Sequence, residues 1–152
     1  MLKIIFVFAV CLFAAVAQGG AVPAKHAPES GRKTAEKKTV NVRLTVYYFH
    51  GYARCSSCHK IEQYAKEAVE RNFSAGVYAG KVAFVPVNIE EKPNQHFVND
   101  YRLVSKSVIL QLEKGGKPGR WENLDRIWLN LGDKDKFLTY IKDSVSKMLE
   151  TM

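Results

Sequence analysis

Cysteine is scarce in this chain: 152 residues hold three, Cys11, Cys55 and Cys58. That number excludes a small domain stapled by several disulfides. Long apolar runs are missing too. The longest, Ile4 to Phe13, falls well short of the roughly 20 residues that span a bilayer. No internal repeat or low-complexity tract is visible, and no segment gathers basic and aromatic residues on one face as a nucleic-acid binder does. The net charge of +8 is instead spread along the chain. It reads as a solvated basic surface, open to an acidic partner or anionic lipid, and no nucleic-acid partner is expected.

What is present begins with an export pattern. Residues 1–17 carry Lys3, the apolar run and the small-residue triplet Ala15-Val16-Ala17, which together fit a signal peptide cleaved ahead of Gln18. Membrane contact is expected only if that segment is retained. Residues 18–39, "QGGAVPAKHAPESGRKTAEKKT", hold Gly, Pro, Ala and charge with almost no large apolar group, so they read as a flexible basic linker. His26 within it is expected to be solvated. Residues 40–152 then have the composition and length of one globular domain, expected to be monomeric.

Within that domain, "VNVRLTVYYF" alternates Val40, Val42, Leu44, Val46 and Tyr48, the period of a strand entering a core. "CSSCHKIEQYAKEAVERNF" follows, with Cys58, Ile61, Ala65, Ala68 or Val69 and Asn72 or Phe73 on one helical face and charges on the other. "GKVAFVPVNIEE" predicts a second strand, with Pro86 marking a bulge or an unpaired position. "KPNQHFVNDYRL" predicts a short helix that tolerates Pro93 in its first turn and turns Phe97, Val98 and Tyr101 inward. "SVILQLEKGG" and "RWENLDRIWLNL" are two strand candidates joined by a Gly-rich hairpin turn. Asp133 then caps a closing helix whose stripe is Phe137, Leu138, Ile141, Val145, Met148 and Leu149. The order strand-helix-strand-helix-strand-strand-helix implies an α/β fold: a right-handed crossover makes the first two strands parallel, and the hairpin adds an antiparallel pair.

The chemistry centres on "CSSCH", Cys55 to His59. With Cys11 lost in the signal segment, the two remaining cysteines are too close in sequence for their bridge to remove much chain entropy, so the pair reads as chemical and not structural. At the first turn of a helix Cys55 meets unpaired backbone N–H groups and the positive end of the helix dipole, which favour a thiolate. Arg54 beside it is expected to add positive charge. Cys55 is therefore the expected nucleophile, and Cys58, one turn later and facing inward, the resolving thiol. Other readings stay open. Two close thiolates suit copper(I) or trivalent arsenic. The same cysteines can form an inert disulfide in an interaction module. The pentapeptide is also spelled as a c-type haem attachment with His59 as ligand, against which stands the patterned strand just before it. Tyr52 and Trp121 are candidates for the rim of a partner groove or for the core, and His50 and His96 have no assignable role.

From Val40 to Leu149 the sequence resembles the thioredoxin-like superfamily, through "LTVYYF" running into "CSSC", then "VPVNIEEKPN", then "YRLVSKSVILQLEKGGK". More narrowly, "YYFHG", "RCSSC", "VNIEE" and "YRLVSKSVIL" resemble the exported subgroup labelled nitrophenyl compound nitroreductase subunit ArsF family. The resemblance implies a mixed sheet with helices on both faces and a thiol-disulfide oxidoreductase acting on a protein disulfide or dithiol. No cofactor is expected, since no residues form the flavin or nicotinamide site that nitro reduction ordinarily draws on. Two departures are visible. The superfamily's cis-proline before the third strand is matched by Ser107, where a trans peptide is expected. Its buried carboxylate under the cysteines is supplied by neither Phe49 nor His50. Both point to a narrower partner, or a weaker oxidant or reductant, than a general disulfide reductase.

Overall fold

The computed structural model describes residues 41–151; the expected signal segment, 1–17, and the expected linker, 18–39, lie outside them. The strands are β1 (Val42–His50), β2 (Val82–Asn88), β3 (Ser107–Lys114) and β4 (Lys117–Asn123). The helices are α1 (Ser56–Phe73), α2 (His96–Asp100), α3 (Ile127–Asn130) and α4 (Lys134–Glu150), with single 3-10 turns at Gly76–Tyr78 and Lys92–Asn94. The sheet runs β2-β1-β3-β4. β1 pairs parallel with β2 and antiparallel with β3, and β4 is antiparallel to β3. This is the mixed sheet that the element order implies, a parallel pair extended by an antiparallel hairpin.

Alternation along β1 divides the interior in two. Leu44, Val46 and Tyr48 point to the face covered by α1 and α4, where they meet Ile61, Ala65, Phe137 and Ile141 in the larger core. Phe49 points to the other face, where it packs with Val87, Tyr101, Leu103 and Ile109, and Tyr47 and Phe97 lie against them. Helices thus cover both faces, two long ones on one side and short α2 on the other. The predicted stripe of α1 is the buried one, Cys58, Ile61, Ala65, Ala68, Val69 and Phe73. In α4, Asp133 caps the helix by accepting a hydrogen bond from Lys136 N, and Phe137, Ile141, Val145, Met148 and Leu149 are buried.

One expectation narrows and one changes. Of the two readings of Pro86 the bulge fails and the unpaired position stands: it stays in register opposite Tyr48 on β2, an edge strand whose outer side has no neighbour to bond among the described residues. "RWENLDRIWLNL" is not one strand. β4 ends at Asn123, and the next residues form α3. Leu124, Ile127 and Leu131 recur every three or four residues and all pack against the larger core, a helical period within a stretch of mixed polarity. The hairpin turn itself is Gly115-Gly116, with φ of 59° and 76°, the left-handed pair that a two-residue turn requires.

Phe137 is wholly buried and joins α4 to α1 through an edge contact with Tyr64 at 5.6 Å between ring centroids. Phe137→Ala should lower unfolding free energy by about 3–5 kcal/mol, read from the urea midpoint at constant slope. Val77, 73% exposed, is the control, and Val77→Ala should stay within about 0.5 kcal/mol of the parent.

Candidate active site

β1 and β2 both end, at His50 and Asn88, on the same edge of the sheet, and the loops that leave them build the site. Crevices at the carboxyl ends of strands, where successive connections go to opposite sides, are the usual ligand positions in α/β sheets. Gly51 is buried there, and a Cβ on it would collide with the Glu90 carboxylate. Glu90 Oε2 in turn accepts a hydrogen bond from Tyr52 N at 2.7 Å. The β2 loop thereby holds the β1 loop that delivers Cys55.

Cys55 is the N-cap of α1, with an extended backbone (φ −90°, ψ 172°), and Cys58 lies in the first turn. Their sulfurs are 2.9 Å apart as free thiols. Cys55 is exposed and Cys58 completely buried. Helical geometry produces this asymmetry, since position 58 begins the apolar stripe that continues with Ile61 and Ala65. The two cysteines predicted to act together are therefore brought together, with accessibility assigned as expected.

The electrostatics favour a thiolate at Cys55. Its pKa is lowered to about 7, first by the hydrogen bond from the Cys58 thiol and then by the backbone N–H of Cys58; desolvation opposes them, and the Ser57 N–H and the Lys106 ammonium add smaller favourable contributions. In the thiol form the side chain makes no cap hydrogen bond, so these amides act on the charged state. Arg54 does not serve as expected: its guanidinium pairs with the Glu62 carboxylate on α1. The cation that reaches Cys55 is Lys106, far along the chain and next to Ser107.

Ser107 is buried at the start of β3, opposite Phe49 in the ladder. No cis peptide bond occurs among the described residues, so the bond before Ser107 is trans. Its hydroxyl donates to the Ser105 carbonyl at 3.0 Å. Beneath the dithiol the buried polar group is a phenol. Tyr48 OH donates to the Cys58 carbonyl at 3.0 Å, and burial, ahead of the nearby thiol, pushes its pKa well up so that it stays neutral. Phe49 belongs to the opposite core, and His50 Nδ1 donates to the Gly51 carbonyl at 3.0 Å.

Beside the dithiol loop is a cleft of about 450 Å³ between Gly51 and Ala53 on one side and Val104, Ser105 and Lys106 on the other, closed by Glu90 and Trp128. Val104 is 98% exposed and Trp128 42%. Of the two aromatics proposed as a rim, Tyr52 is on the exposed loop, but Trp121 is elsewhere, on the second face against Tyr101. Trp128 takes the position at the cleft. Sequence reading missed Tyr48, Lys106, Glu90 and Trp128; the adjacency of Lys106 to the singled-out Ser107 was the available signal.

For a metal the pair supplies two thiolates, and no group of three or more His, Cys, Asp or Glu converges among the described residues. A haem bonded to both sulfurs needs both at the surface, whereas Cys58 is wholly buried and His59 lies exposed on α1. A nucleophilic thiolate with a resolving thiol behind it needs this arrangement. Alkylation of Cys55 should rise with pH through about 7. The ordering of causes predicts that Cys58→Ala moves this profile upward most, Lys106→Met less, and Arg54→Met least, as measured by iodoacetamide rates from acid to mildly alkaline pH.

No family model matches the sequence, and no curated protein matches it. Among the solved structures to which the chain is similar are three thioredoxins. A thioredoxin from Thermus thermophilus is 16% identical over 69% of this chain and 75% of that one, with a TM-score of 0.41. The thioredoxin of Trypanosoma brucei brucei is 19% identical over 68% and 76%, with a TM-score of 0.39. That of Fasciola hepatica is 18% identical over 64% and 81%, with a TM-score of 0.37.

Proposed function

We propose that this chain is an exported thiol-disulfide oxidoreductase acting on a protein partner. The observation that carries the reading is the pair of sulfurs 2.9 Å apart, one exposed at a helix N-terminus and one buried behind it. A Cys55 pKa of about 7 lies within the range of about 3.5–7.5 that reactive C-x-x-C thiols reach. In the reducing direction the Cys55 thiolate attacks one sulfur of a partner disulfide, forming a mixed disulfide and expelling the other sulfur as a thiolate that takes up a proton. Cys58 then gives up its proton and attacks Cys55 Sγ. The Cys55–Cys58 disulfide forms and the second partner sulfur leaves as a thiol, so two electrons and two protons have passed to the partner. The reverse steps oxidise a partner dithiol, and the reduction potential sets the direction.

Export is supported by the segment 1–17 and by the resemblance to an exported subgroup. That narrower resemblance is used for the compartment alone, because the dithiol exchanges electrons with a disulfide unaided and nitro reduction draws on a bound flavin or nicotinamide. A narrow partner range follows from Ser107, whose buried hydroxyl is turned back on its own chain where the superfamily has a proline.

Cys58→Ala in the exporting cell should accumulate a mixed disulfide through Cys55, seen as a reductant-sensitive adduct and absent when Cys55→Ser is added. A clean absence of adduct, where a control oxidoreductase variant gives one, would leave the dithiol without an exchange role. The mature chain should begin near Gln18 by intact-mass measurement; a secreted form still starting at Met1 would remove the cleavage half of the reading.

A further inference from the structure

On the sheet face away from α1 and α4 lies a cavity of about 400 Å³ that the dithiol chemistry does not use. Its walls include Tyr47 of β1, Tyr101 after α2 and Trp121 of β4, and its rim carries the carboxylates Asp100 and Glu113. We propose that this cavity binds an alkylated ammonium head group.

The walls have the right geometry for a cation. Tyr101 and Trp121 meet at 85° with centroids 5.5 Å apart, and Tyr47 stands 6.2 Å from Tyr101 at 40°. All three rings line the cavity, and a cation within about 6 Å of a ring centroid is attracted by its quadrupole. The corner is held in place. Tyr101 OH donates to Gln111 Oε1 at 2.9 Å, and Gln111 Nε2 donates to the Leu112 carbonyl at 2.7 Å. Trp121 stays 38% exposed.

The charge agrees with the walls. In a chain of net charge +8, two carboxylates border this one aromatic corner. Asp100 Oδ2 is bonded by His96 Nδ1 at 2.7 Å. Glu113 faces Arg43 across the β1–β3 ladder but forms no ion pair among the described residues. Burial first and Glu113 next raise the phenol pKa of Tyr47, and burial first, then Tyr47, Asp100 and Glu113, raise that of Tyr101. A flat apolar ligand would leave these carboxylates unused, and a hydrated inorganic ion would leave the rings unused; a substituted ammonium engages both.

The chain has two tryptophans, so Trp128→Phe leaves Trp121 as the single reporter in the otherwise full-length protein. Choline chloride should change its fluorescence saturably, with sodium chloride as the ionic-strength control. The neutral isostere, in which carbon replaces the choline nitrogen, should bind about tenfold more weakly. Glu113→Gln and Asp100→Asn should each weaken choline by about threefold. Nα-acetyl-lysine methylamide distinguishes the source: tighter binding than choline assigns the head group to a polypeptide side chain, weaker binding to a free solute, and either supports the site. Equal binding of choline and its isostere, indifference to both carboxylate substitutions, or no saturation by either cation would overturn it.

Discussion

Everything in this domain hangs on β1 being hydrogen-bonded on both sides. β2 pairs with it over Leu44 to His50 and β3 over Val42 to Phe49. With no free edge, β1 can direct consecutive side chains into two separate interiors. Tyr47 and Tyr48 show the consequence. Tyr48 lies under the dithiol, its hydroxyl on the Cys58 carbonyl, while Tyr47 belongs to the aromatic group of the opposite face. The strand then ends at His50, and the chain must turn within a few residues into α1, which puts Cys55 at the helix start.

That turn explains the dithiol's asymmetry without any dedicated device. A helix packed on a sheet buries one stripe, and the stripe of α1 starts at Cys58. Cys55, just before the first helical residue, is outside the stripe and in reach of the amides of Ser57 and Cys58. One constraint, the packing of α1 on β1, thus makes one sulfur accessible and stabilised as an anion and makes the other a protected second thiol. Tyr48 adds a neutral hydrogen-bond donor beneath the pair, where a charged carboxylate at that depth would oppose formation of a nearby thiolate.

The elements that were legible in the sequence are those whose period is unmixed. β1, α1 and α4 show a single periodicity over nine residues or more and fold as read. α3 was not legible because Leu124, Ile127 and Leu131 share their stretch with Trp121, Trp128 and Leu129, large apolar residues outside the buried core that blur the helical spacing. At the site, Cys55 and Cys58 are neighbours in sequence and were found by spacing. Their electrostatic partner was not, since Lys106 reaches Cys55 only through the antiparallel placement of β3 beside β1. Arg54 misled for the complementary reason: adjacency along the chain says nothing of direction, and its side chain runs along the helix to Glu62.

The segment before β3 carries the remaining argument. Val104 is almost fully exposed, Lys106 supplies charge to Cys55, and Ser107 is buried with its hydroxyl satisfied by Ser105. A proline at position 107 would have no side-chain donor for that carbonyl and would fix the backbone angle there. With serine, the local turn is held instead by a hydrogen bond worth on the order of 1 kcal/mol. The stretch that lines the cleft is therefore set by polar contacts within itself, with the apolar side chains of Val104 and Trp128 on the rim. Under the proposed thiol-disulfide exchange, selection among partners would fall to what can cover those two side chains while bringing a sulfur to Cys55.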